Sequence, residues 1–298
     1  MKTCQGVWRS AVPDAYRPGD RPSVLFARRR TSGERLPTRF GVALHEPTTA
    51  LVDRLALRDD VDAILLRGSV ALGVYDDASD DDLEGVVGGA VEPPDERRLA
   101  LVWPGAGKGG IVCDAFLTSV DELAARAHSA LDVIRWPYRQ ARILHVRDPA
   151  VLEPLERVAS MPAGYRAARM RHGLVDIALA SERGRRCERR GQDAERVILV
   201  VRGARALARV IFALEWQWVP LDHWFTFGLS RLSDPSDCAG LCRDALATTS
   251  VEPLVEAASR LREHLRVVEA STGWDHDELL SAIRRPDRRR ERAVHGLC

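Results

Sequence analysis

The sequence predicts an α+β fold: a small mixed β-sheet flanked by helices, followed by an all-α helical bundle. Three observations carry this. In the first half, short apolar runs of strand length recur at 61–66, 99–103, 111–117 and 141–146, set apart by Gly, Pro and acidic turns. From Ala163 onward, apolar residues fall at helical spacing in one segment after another. Between the first two apolar runs lies an acidic stretch, Ser79-Asp80-Asp81-Asp82-Leu83-Glu84, which leads straight into Val86-Val87.

The elements follow in order. Residues 1–40 are rich in Arg, Pro, Gly and Ser and lack periodicity, so a poorly ordered extension is expected there. Its short basic run, Phe26 to Arg30, is the one feature that would suit RNA. Pro47 to Leu57 places Val52, Leu55 and Ala56 at helical spacing. Val61 to Leu66 is a strand, broken by Gly68-Ser69, after which a helix covers Val70 to Val74. Asp76-Asp77 is a turn, and an acidic strand runs from about Asp81 to Val87. Pro93-Pro94 marks a loop. Leu99 to Trp103 and Ile111 to Leu117 are strands joined by a glycine-rich hairpin turn, 104–110. That turn only superficially resembles a phosphate-binding loop, because its first glycine and the residue after Lys108 do not fit. Ser119 starts a helix with acids in its first turn. A short helix or turn and a strand, Ala141 to Val146, close the first half at Arg147-Asp148-Pro149.

The acidic strand carries the chemistry. Side chains alternate faces along a strand, so Asp80 and Asp82 point the same way. Two carboxylates side by side repel unless a cation lies between them. Oxygen-only ligands suit Mg²⁺, which keeps waters and takes further ligands from substrate phosphates. Glu84 shares the face of Asp82, so an Asp82/Glu84 register is the alternative to Asp80/Asp82. Upstream, Gly68 lets a phosphate approach the backbone, and the amides of a helix starting at Ser69 would face it. Asp114 is the single acid in the apolar strand 111–117, a costly place for an unpaired carboxylate.

This stretch resembles the nucleotidyltransferase superfamily that includes polymerase beta and the antibiotic nucleotidyltransferases. The resemblance rests on Gly68, Ser69, Ala71, Gly73, Ser79, Asp80, Asp82 and Leu83, at the family's spacing. It spans about twenty residues of the 298. Two positions depart: Asp81 stands where the family has an apolar residue, and Leu72 where relatives often carry an arginine. The resemblance favours Asp80 and Asp82 as metal ligands, with Ser79 and Leu83 in the family's places. It implies a third carboxylate from the next strand, Asp114, and nucleotide binding at Gly68 and Ser69. It further implies two Mg²⁺ ions, with Mn²⁺ as a substitute, an NTP donor, foremost ATP, and transfer of NMP to a hydroxyl acceptor such as an antibiotic. A protein-modifying AMP transferase of toxin–antitoxin type and a catalytically silent nucleotide-binding regulator are the alternatives. On this reading residues 41–155 form the catalytic domain, and 156–298 a helical acceptor-binding domain with a basic tail.

Composition narrows the rest. With 44 basic and 43 acidic residues the net charge is +1, which argues against a surface dedicated to nucleic acid or membrane. No apolar run is long enough for a transmembrane helix, and the N-terminus lacks a secretory h-region. The six scattered cysteines fit a reduced cytoplasm, and Cys238-x-x-x-Cys242 lacks the partners a zinc site needs. Arginine outnumbers lysine, which suits a bacterial, GC-rich genome.

In the second half, helices are expected at 163–190, 194–218, 221–232, 238–249, 251–270 and 274–284. Arg202, Arg205 and Arg209 interrupt the very apolar 194–218 segment and make it a bundle helix, not a membrane span. The aromatic segment around Glu215, Trp216, Trp218 and Trp224 either lines an acceptor pocket or packs where helices meet. Glu215 and Asp176 are candidate general bases.

Overall fold

The computed structural model describes residues 44–75, 79–89, 98–102, 111–234 and 236–268. The N-terminal extension, the Pro93-Pro94 loop, the 104–110 turn, the 274–284 helix and the basic tail lie outside them. The chain divides into two compact units between Ala159 and Ser160.

The first unit is built on a five-stranded mixed sheet. Helix α1 (Glu46–Ala56) precedes β1 (Val61–Arg67), and the short helix α2 (Gly68–Leu72) follows it directly. Then come β2 (Asp81–Val87), β3 (Arg98–Val102) and β4 (Ile111–Ser119). Helices α3 (Val120–Arg126) and α4 (Asp132–Arg139) lead to β5 (Arg142–Val146), and α5 (Leu152–Ala159) ends the unit. The strand order is β3-β4-β2-β1-β5. β2 and β4 run parallel, and every other neighbouring pair is antiparallel.

β1 is a near-continuous apolar run because both its faces are covered. Ile64 and Leu66 pack with Leu51, Val52 and Leu55 of α1, with Val70 and Ala71 of α2, and with Leu83, Cys113 and Ala115. Ala63 and Leu65 face the other way, onto Leu123 of α3, Tyr138 of α4 and Leu155 and Val158 of α5. A boundary at residue 155 or 156 would cut through α5. Pro154 in its first turn does not break it, since the first amides of a helix have no internal acceptor.

Arg135 fastens this layer. It is 2% exposed and donates to carbonyls at the ends of two helices. Its Nε reaches Val158 O at 2.5 Å and its Nη2 reaches Arg157 O at 2.9 Å, while Nη1 reaches Ala127 O. These are the carbonyls left over where α5 and α3 end, and a cation there also meets the negative end of each helix dipole. α3 itself starts in a capping box: Ser119 Oγ accepts from Glu122 N–H, and Glu122 Oε2 accepts from Ser119 N–H, each at 3.1 Å.

The second unit is helical. α6 (Ala163–Arg189) and α7 (Asp193–Leu214) form its long antiparallel pair, joined by α8 (Phe225–Ser230), α9 (Ala239–Thr248) and α10 (Glu252–Val268). α6 and α7 approach closely where side chains are missing. A Cβ on Gly173 would lie 2.3 Å from Val210 Cγ2, and one on Gly203 would lie 3.1 Å from Ala180 Cβ of α6 and 2.5 Å from Leu254 Cδ1 of α10. α7 stops four residues before the expected end at Trp218, because Trp216 takes a left-handed backbone conformation, φ 56°. Among the described residues no helix is long and apolar enough to cross a membrane.

Replacing Arg135 by Met should lower unfolding free energy by about 2–4 kcal/mol, since several buried carbonyls lose charged donors at once. Arg157→Met, which removes only an exposed i,i+4 pair with Glu153, should cost under about 0.5 kcal/mol. Urea denaturation of the two variants side by side checks the contrast.

Candidate active site

Strand register builds the site. β1 and β2 pair so that Arg67 stands opposite Asp82, and β2 and β4 pair so that Asp82 stands level with Asp114. Neighbours directly across a sheet share a face. That face also carries Glu84 and Phe116, whereas Asp81, Leu83 and Cys113 lie on the face toward α1. Asp80 immediately precedes β2.

Charge is concentrated here. The proton affinity of Asp82 is pushed up to about 6, first by burial and then by the negative charge of Asp80, with Asp114 and Asp81 adding to it and Arg67 opposing it. Asp80 and Asp114 therefore both act on Asp82 through space. Gly68 lies directly beneath: it has φ +66°, and a Cβ built on it would fall 1.8 Å from Asp82 Oδ2. Glycine is required there both by conformation and by the carboxylate pressed against it. Ser69 is half-buried in the first turn of α2. Gly73, φ 73°, closes that helix in the left-handed conformation at its C-cap.

Glu84, the alternative ligand, is engaged elsewhere. It is fully buried, and its Oε1 accepts from Arg126 Nη1 at 2.5 Å and from the Tyr138 hydroxyl at 3.0 Å. Arg126 also donates to Thr118 Oγ1 at 2.8 Å. Asp81 is buried on the opposite face, where its Oδ2 accepts from the backbone N–H of His45 and lies 3.0 Å from His45 Nδ1.

The donor set suits a hard divalent cation: oxygen-only, half-buried and excessively negative. Among the described residues no group of three or more His, Cys, Asp or Glu side chains is drawn together tightly enough to hold a metal unaided. Mg²⁺ takes one or two carboxylates and completes its shell with water and phosphate oxygens. A pair from this set therefore fits it without a closed protein cage.

The residues proposed for the acceptor lie in the second unit and are not brought together as an open aromatic wall. Trp218 is 1% exposed and packs on Tyr165, ring centroids 5.3 Å apart, with Arg169 over its ring. It is core, as a large apolar ring at a helix junction tends to be. Trp216 is 45% exposed, with the Arg166 guanidinium 4.7 Å over its ring. Trp224 is half-buried against Phe227 and His223. Glu215 Oε1 accepts the Asp234 backbone N–H at 2.8 Å, a loop-fixing bond, and Asp176 pairs with Arg202 at 2.9 Å across α6 and α7. Cys238 and Cys242 are buried, with their thiols directed at backbone carbonyls. Burial pushes them up to about 11 and about 12 respectively.

Sequence reasoning missed Arg67 and Arg126. Arginine directly before Gly68 was a visible signal for the first. Nothing in the sequence links Arg126 to Glu84, 42 residues away.

A carboxyl whose affinity for protons is higher folded than unfolded adds stability below its unfolded value, about 3.9, and loses it as pH rises through about 6. In EDTA, wild-type protein should therefore lose stability between about pH 4 and pH 7. Asp82→Asn should not, and should exceed it by about 1–2 kcal/mol at pH 7.5 after allowance for partial solvent screening. Thermal melts across that range check the sign.

No protein-family model matches this chain, and no curated protein does. Among solved structures, the chain is similar to a nucleotidyltransferase-like protein from Exiguobacterium sibiricum. The two are 16% identical, the match covers 80% of this chain and 79% of that one, and the TM-score is 0.41.

Proposed function

We propose that this chain is a Mg²⁺-dependent nucleotidyltransferase, which moves NMP from an NTP, with ATP foremost, to a hydroxyl group on an acceptor. The observation that supports this most is the half-buried Asp82 carboxylate, level with Asp114, acted on by the negative charge of Asp80 and Asp114 and pressed against a glycine whose Cβ would fall 1.8 Å from its Oδ2. A carboxylate whose proton affinity is raised by burial and by like-charged neighbours is poorly placed for stability alone, and such perturbation marks functional sites.

Asp80 and Asp82 would hold Mg²⁺ together with phosphate oxygens, and Asp114 a second ion. Such ions supply charge neutralisation on the attacking and leaving oxygens. The remaining work is positioning. The backbone at Gly68 and the hydroxyl of Ser69 receive the phosphate tail. The acceptor oxygen forms a bond to the α-phosphorus as the bond from that phosphorus to the α,β-bridging oxygen breaks. Pyrophosphate leaves with the electron pair, and the hydroxyl proton passes to a carboxylate of the site or to water.

Incubation with labelled ATP, GTP, CTP and UTP in the presence of aminoglycosides, lincosamides or lysate proteins tests the reaction and locates the label. Label on a small molecule supports the antibiotic-type acceptor, and label on a protein supports the protein-modifying alternative. Metal-dependent NTP binding without pyrophosphate release would favour a silent regulator.

Asp82→Ala should leave a folded protein that releases no pyrophosphate from any NTP, so wild-type turnover in it would defeat the proposal. Gly68→Ala should be nearly as damaging, a loss of at least about a hundredfold, because its Cβ must displace the Asp82 carboxylate.

A further inference from the structure

Arg67, the residue immediately before Gly68, occupies a distinctive setting. It closes β1 directly opposite Asp82, and its positive charge opposes the carboxylates that raise the proton affinity of Asp82. Its guanidinium carbon lies 4.5 Å from the centroid of the Phe116 ring and 5.5 Å from that of Tyr138. Its Nη1 lies 3.2 Å from Glu84 Oε2, and its side chain is 15% exposed. Its Nε is buried with no hydrogen-bond partner among the described residues.

Glu84 is hydrogen-bonded at Oε1, while its buried Oε2 has the ion pair with Arg67 and no hydrogen bond among the described residues. Arg126 and Tyr138 both donate to its Oε1, so one buried carboxylate faces two guanidinium groups. Arg126 spends its other terminal nitrogen on Thr118. Arg67 makes no comparable bond to a hydroxyl or carbonyl among the described residues. Positive charge and donor capacity therefore remain on the arginine next to Asp82. A guanidinium always keeps its charge, and its fixed fork matches phosphate oxygens.

We propose that Arg67 grips the phosphate chain of the nucleotide: Glu84 and Phe116 hold its guanidinium from behind, and its remaining donors receive an anionic oxygen bound opposite Asp82. This rests on the nucleotidyltransferase reading and names the residue that recognises the triphosphate. Without ligands, Arg67 offsets part of the charge of Asp82 and its neighbours. With divalent cations held by those carboxylates, Arg67 would no longer be needed as their counter-charge and its own charge would be free for the phosphates. The aromatic faces restrict the guanidinium without consuming its N–H groups.

The test is ligand binding by calorimetry at fixed Mg²⁺, with ATP, inorganic tripolyphosphate and adenosine as probes, on wild type, Arg67→Lys and Phe116→Leu. Lysine keeps the charge and loses the fork. Arg67→Lys should weaken ATP and tripolyphosphate by at least about tenfold and leave adenosine unchanged. Phe116→Leu should shift the same two ligands by a smaller factor. Unchanged ATP affinity in Arg67→Lys, or equal loss for ATP and adenosine, would make Arg67 a structural brace and overturn the proposal. If Arg67→Lys melts below the assay temperature, Phe116→Leu carries the test, and wild-type affinity there overturns it. Wild-type protein that binds neither ATP nor tripolyphosphate overturns the underlying reading, and this proposal with it.

Discussion

The parallel pairing of β2 with β4 is the constraint on which the rest of the first unit depends. It sets Asp82 level with Asp114, and Asp80, just before β2, acts on Asp82 from along the chain. Like charges in a half-buried place cost folding free energy, and the surroundings reduce that cost without removing it. Gly68 withdraws its side chain so that the Asp82 carboxylate has space. Arg67, across the β1–β2 ladder, supplies a counter-charge. The residual cost shows in the proton affinity of Asp82, which stays high despite Arg67.

The same sheet face shows how a buried carboxylate is held when it serves the fold. Glu84 lies two residues beyond Asp82 on that face, yet Arg126, Tyr138 and Arg67 surround it. A fully buried anion survives only when paired and hydrogen-bonded, and Glu84 is hydrogen-bonded at Oε1 and ion-paired at both oxygens. Asp82 has burial, like-charged neighbours and one opposing arginine. The two differ in surroundings, not in residue type. This contrast sets an acid held by bonds beside one left under repulsion on a single strand.

Much of this was legible in the sequence. The apolar runs of β1, β4 and β5 announced buried strands, and the Gly-Ser spacing to Asp80 pointed to the corner where Gly68 meets Asp82. What was not legible depends on distant residues. The choice between Asp82/Glu84 and Asp80/Asp82 bears on Arg126 and Tyr138, which come from α3 and α4, and no local pattern ties them to β2. α5 went unread because Pro154 and Glu153 obscure its apolar spacing, although Leu155 and Val158 are wholly buried. α7 was read too long because Trp216 and Trp218 continue the apolar pattern. Backbone geometry, which composition does not encode, ends the helix at Leu214. The tryptophans looked like one cluster in sequence, and a left-handed residue turns their side chains to different environments.

Asp81, where the resembled family has an apolar residue, shows how far one side chain can be reassigned. Alternation sends it to the face opposite Asp82, into the layer between the sheet and α1. It is 1% exposed there, so an unsatisfied charge would be prohibitive. Its Oδ2 instead accepts the backbone N–H of His45, the N-cap residue of α1, and lies 3.0 Å from the imidazole Nδ1 as well. A carboxylate at a helix N-terminus is favoured by the orphan amides and by the dipole. The acid therefore ties α1 to the start of β2, a task the usual apolar residue would perform by packing alone. Its charge still reaches Asp82 through the strand and adds to the repulsion there. The departure at Asp81 is thus met at Oδ2 on its own face, while its buried Oδ1 has no hydrogen-bond partner among the described residues, and its charge is felt on the other face, which makes Arg67 the more necessary across the ladder.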